Sequence, residues 1–130
     1  MSGMTDADRA AQGMRVRREV LGDEHVDRVI AGTNEFTAPF QDLLTRYAWG
    51  EVWSRPGLSR AERSIITLTA LASLRQEEEL AAHLRAAVRN GLTETQIQEV
   101  LLQVAIYAGV PAANRAFAVA QSVLAELDIS

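Results

Sequence analysis

The chain has 130 residues, 48% apolar and 5% aromatic, with 13 Lys and Arg against 17 Asp and Glu for a net charge of −4. That length suits one domain with one core, and an acidic chain without a basic cluster argues against nucleic-acid partners. With no cysteine, disulfides, thiolate metal sites and thiol catalysis are excluded.

Abundant alanine and leucine with few aromatic residues favour close-packed helices, so an all-α fold of about six helices is expected. The first 14 residues, MSGMTDADRAAQGM, are polar and acidic where a secretory leader needs a basic start and an apolar run. They read as a flexible tail before a helical domain over residues 15–130, and the cytoplasm is the expected compartment. Asp23 is placed to cap a short helix through about Ile30, which Gly32-Thr33-Asn34 ends. A second helix starts near Thr37 with Pro39 in its first turn, carries both tryptophans and stops before Arg55-Pro56-Gly57.

Ser59 and Glu62 have capping-box spacing and open a third helix to about Leu74. Its apolar positions Ile65, Ile66, Leu68, Leu71 and Leu74 wrap most of the circumference, which predicts a helix surrounded by neighbours. Within it, SIITLTALASL is too short and too often interrupted by Ser and Thr to cross a bilayer, so no membrane association is expected. A break is placed near Arg75-Gln76, and a fourth helix runs from Glu77 to Arg89 with Asn90-Gly91 as its stop. Thr93 and Gln96 repeat the capping-box spacing, and Ile97, Val100, Leu101, Val104 and Ala105 follow one stripe. After Gly109-Val110-Pro111, a last helix carries Ala113, Ala116, Phe117, Ala120, Leu124 and Leu127 on one face.

The fourth helix, EEELAAHLRAAVR, holds one of only two histidines. His83 falls at the edge of the stripe Leu80, Leu84, Ala87 and Val88, and Glu79 lies one turn before it, at a spacing where two helical side chains meet. A carboxylate beside an imidazole favours the charged ring and orients it, which suits a general acid near neutral pH. The same spacing also describes a surface ion pair. His25, in the acidic GDEHVDR, reads as a solvated or capping residue. No HxxxH or ExxH pair supplies preorganised ligands, so no metal is expected.

Four stretches, RREVLGDEHVDR, FQDLLTRYAWGEVWSRPGLSRAERS, EEELAAHLRAAVRNGLT and IQEVLLQVAIYAGVPAANRAF, together resemble the carboxymuconolactone decarboxylase family, and within it the branch of bacterial protocatechuate breakdown. The resemblance runs from about Arg15 to Glu126. It implies a helical fold of the AhpD type, a homo-oligomer (hexamer or trimer), and a carbon–carbon lyase that uses neither metal nor organic cofactor. A related peroxidase branch relies on a CxxC pair, which this chain lacks. The implied substrate is a dianionic lactone, 4-carboxymuconolactone. The implied roles are His83 as general acid and oxyanion donor, Glu79 as its orienter, Arg63, Arg46 and Arg55 as carboxylate-binding candidates, and Trp49, Trp53 and Tyr107 as a less polar wall. Plainer readings stand beside these: arginines in surface pairs, and aromatic residues in core or subunit contacts.

Two other classes compete. VAIYAGVPAANRAFAVA has the cadence of a helix-turn-helix, but its second helix offers only Asn114 and Arg115 among alanines on an anionic chain. A helical assembly module without catalysis would also use the alanine-rich faces.

Overall fold

The computed structural model describes residues 4–127. Among them every regular element is helical: α1 (Asp6–Leu21), α2 (Asp23–Ala31), α3 (Ala38–Leu43), a π-helical continuation of α3 (Leu44–Val52), α4 (Arg60–Ser73), α5 (Glu77–Arg89), α6 (Glu94–Tyr107) and α7 (Val110–Glu126). None of these helices is long and apolar enough to cross a membrane. Along the sequence the chain divides between Leu58 and Ser59 into two compact units.

The first unit corrects two expectations. The stretch read as a tail is helical from Asp6, because the Thr5 hydroxyl accepts the Asp8 N–H while the Asp8 carboxylate accepts the Thr5 N–H. Asp23 does not cap α2; Gly22 does, at φ 92°, and Asp23 instead accepts a hydrogen bond from Arg18.

Helix α1 packs on the π-helical segment at backbone distance. A Cβ at Gly13 would stand 1.8 Å from the Thr45 carbonyl oxygen, and one at Gly50 would stand 2.5 Å from the Arg9 carbonyl oxygen. Only glycine fits at either place, which offsets the conformational entropy it costs inside a helix. The Gln12 side chain then donates to the Gly50 carbonyl at 3.0 Å. The wider π-turn leaves Trp49 buried and stacked on Trp53, ring centroids 5.2 Å apart and planes 28° from parallel.

The second unit is held by apolar side chains. Leu68 and Ala72 of α4, Leu80, Leu84 and Ala87 of α5, Ile97, Leu101 and Val104 of α6, and Ala113, Ala116, Ala120 and Leu124 of α7 form one cluster. Each buried leucine contributes about 1.5–3 kcal/mol relative to exposure. The predicted capping boxes close α4 at Ser59 with Glu62 and α6 at Thr93 with Gln96. The α4–α5 break sits at Arg75, which takes φ 58° although no glycine marks it.

Helices α5 and α7 run parallel and are tied near both ends. Arg115 of α7 donates to both carboxylate oxygens of Glu77 at 3.1 and 2.7 Å, and Arg85 of α5 donates to both of Glu126 at 2.8 and 3.0 Å. The first tie engages the basic side chain on which the helix-turn-helix reading depended.

One expectation about α4 fails. Only its Ser64, Leu68 and Ala72 face is buried, while Ile66 and Leu74 are exposed, so the helix is not surrounded within the chain. Helix α6 keeps its predicted stripe but also shows Leu102, Ile106 and Tyr107 to solvent.

Candidate functional site

Helix α5 positions the histidine that the sequence singles out. Its Leu80, Leu84 and Ala87 face is buried, and the flank of that face carries His83, half-buried. The acidic first turn suits the positive end of the helix dipole, yet its three carboxylates diverge. Glu77 is held by Arg115, which with the two hydrogen bonds keeps its carboxyl below the ordinary glutamate range. Glu78 and Glu79 are exposed, and no hydrogen bond or ion pair of Glu79 is found among the described residues. Glu79 lies one turn before His83 on the same helix.

The cationic candidates separate by environment. Arg63 on α4 is half-buried, in a stripe with Arg60, Thr67 and Leu71, and its carbonyl accepts the Thr67 hydroxyl at 2.9 Å. Arg46 lies in the π-helical segment, pairs with Asp42 at 2.7 Å and stands 5.9 Å from the centre of the Tyr47 ring. Arg55 is exposed and 3.7 Å from Glu51. Trp49 and Trp53 are the candidates the structure brings together.

Tyr107 stands at the end of α6, 84% exposed. It borders a groove of about 510 Å³ between α4 and α6, lined also by Ile65, Thr69, Val100, Gln103 and Val104. Among the described residues no three His, Asp or Glu side chains converge as metal ligands.

Sequence reasoning passed over one charged residue. Arg17 is 6% exposed; its Nη1 donates to Thr45 Oγ1 at 3.2 Å and its Nη2 to Gln41 Oε1 at 2.8 Å. Burial pulls its pKa below the usual arginine value. The available signal was phase, since Gly13, Val16, Arg17 and Val20 fall on one buried helical stripe. Reading residues 1–14 as a tail hid it.

The model of the carboxymuconolactone decarboxylase family matches residues 38–122. A 4-carboxymuconolactone decarboxylase of Acinetobacter baylyi is 46% identical over 127 residues, which is 98% of this chain and 95% of that relative. A nitrosuccinic acid decarboxylase of Metarhizium robertsii is 40% identical over 116 residues, 89% of this chain and 81% of the relative. A 4-carboxymuconolactone decarboxylase sequence from Pseudomonas putida is 48% identical over 48 residues, which is 37% of this chain and all of that sequence.

Proposed function

Because the chain belongs to the carboxymuconolactone decarboxylase family, we propose that it removes CO2 from 4-carboxymuconolactone to give 3-oxoadipate enol-lactone. The observation that carries this reading is the 46% identity to a bacterial enzyme of that name along 98% of the chain.

In the proposed reaction the bond to the departing carboxylate breaks, and its electrons pass through the ring double bond onto the lactone carbonyl oxygen. The ring carbon beside the carbonyl then takes a proton. The substrate carries its own electron sink, so the protein has to supply a donor to the oxygen and an acid for the carbon. His83 is assigned this role because α5 holds it half-buried at the flank of an apolar face, where its ring can reach a bound ligand. Glu79 turns toward the ring when substrate binds, which the i, i+4 spacing permits. Arg63 grips the carboxylate that stays on the product. Arg46, paired with Asp42, and Arg55, near Glu51, are further candidates for the same contact. Trp53, stacked on the buried Trp49, presents the less polar surface.

Self-association belongs to the same reading. Ile106 is 78% exposed and Val110 69%, and with Tyr107 they form a run of outward apolar side chains at the α6–α7 corner that favours a contact with a second copy. Tyr107 serves that contact better than a substrate wall.

The test is direct: purified protein is mixed with 4-carboxymuconolactone and the ultraviolet absorbance followed. Turnover is expected, and His83→Ala should lower kcat by about 10²–10⁴-fold with unchanged helicity. Turnover retained in that variant removes His83 from the mechanism. The fungal relative supports one second reading, a small open-chain acid, so nitrosuccinic acid is assayed in parallel. Consumption of that acid alone would replace the lactone.

A further inference from the structure

Arg17 is the one buried charged side chain among the described residues, 6% exposed. Its neighbours in the first unit are matched by carboxylates: Arg9 by Asp6, Arg18 by Asp23 and Asp27, Arg46 by Asp42. Arg17 meets only neutral oxygens, Thr45 Oγ1 and Gln41 Oε1; its Nε, like those of Arg9 and Arg46, is enclosed without an acceptor, but it alone of the three has no carboxylate on its other nitrogens. A guanidinium keeps its charge in such surroundings, so the unit encloses a positive charge that its own side chains do not balance. A tether for the π-helical segment does not require this, since a neutral amide would join Thr45 and Gln41 without the desolvation cost.

We propose that Arg17, framed by Thr45 and Gln41, is a subsite for a small carboxylate. The bond from Nη1 to Thr45 fixes the plane of the guanidinium. That leaves Nε and Nη2 side by side as a fork matching the two oxygens of a carboxylate. Gln41 occupies Nη2 and is half-buried, at the edge of the enclosed region, so the incoming anion displaces its amide oxygen. Asp42, which adjoins Gln41, is neutralised by Arg46 and does not repel the anion. The subsite deepens the decarboxylase reading, whose substrates are carboxylates, and assigns a cation that reading did not use.

Succinate serves as the probe, titrated into the full-length protein while melting temperature and tryptophan fluorescence are recorded. A saturable rise in melting temperature is expected with succinate and none with succinamide at equal concentration. Arg17→Met should weaken the response at least about tenfold, and Arg17→Lys, which keeps the charge and loses the fork, should weaken it less. Gln41→Ala removes the competitor at Nη2 and should tighten succinate binding a few-fold, a change that a mere tether would not produce. A folded Arg17→Met protein that binds succinate like the wild type overturns the subsite. Should that variant not fold, wild-type affinity in both Arg17→Lys and Gln41→Ala overturns it equally. Succinate binding that depends on Arg17 without turnover of either acid refutes the decarboxylase reading alone, and turnover without such binding refutes the subsite alone.

Discussion

The two units achieve cohesion by opposite means. In the first, α1 and the π-helical segment meet at their backbones, through Gly13 and Gly50, and the arginine beside that contact is buried. In the second, leucine and alanine side chains fill the space between four helices, and charge stays outside as paired clamps on α5 and α7. Close approach of backbones depends on atoms that are absent. A side-chain core depends on atoms that are present. Substitutions should therefore fail in opposite directions, by addition in one unit and by removal in the other.

The largest effect is expected from addition. Gly13→Ala places a methyl group inside the Thr45 carbonyl, where backbone has to move, and should cost more than about 4 kcal/mol in urea unfolding. Both tryptophans lie in the first unit, so their fluorescence reads it out. A cost below about 1 kcal/mol would break the comparison, because the glycines would then be incidental. Removal in the second unit comes next: Leu84→Ala should cost about 3 kcal/mol by urea-induced loss of far-ultraviolet circular dichroism. Thr93→Ala deletes one half of a capping box and should cost about 1 kcal/mol in the same measurement.

The smallest effect belongs to the clamps. Hydrogen bonds and charge from Arg115 and Arg85 hold the carboxyls of Glu77 and Glu126 below their ordinary range. Folding is thus favoured above the ordinary glutamate pKa, and that benefit disappears as pH falls through the lowered folded values. The melting temperature of a Glu77→Gln, Glu126→Gln variant should lie slightly below that of the wild type at neutral pH. The gap should shrink on acidification and with added salt. A gap that widens in acid would overturn the assignment.

How much of this was legible in the sequence follows the same division. The second unit obeys periodicity and capping, so the sequence itself bounds α5 at Glu77 and Arg89 and marks the boxes at Ser59 and Thr93. Its left-handed Arg75 shows why the break there carried no strong mark: tertiary packing holds a conformation that glycine would have announced. The first unit was harder to read because its decisive contacts involve hydrogen atoms on glycine and a change of helical pitch. Thr5-x-x-Asp8 was a usable start signal, but the polar run that follows resembles a tail. The decarboxylase resemblance was legible because four blocks kept their order. His83 was legible as a residue, whereas the enclosure of Arg17 is a matter of side-chain position that spacing does not encode.

The stacked indoles have an optical consequence. Two chromophores 5.2 Å apart and inclined by 28° share their excited states, so the folded chain should carry a split near-ultraviolet dichroic band. Straightening the π-turn into ordinary α-helix would rotate one ring away from the other and erase the splitting, which makes the wide turn visible in a cuvette without any label.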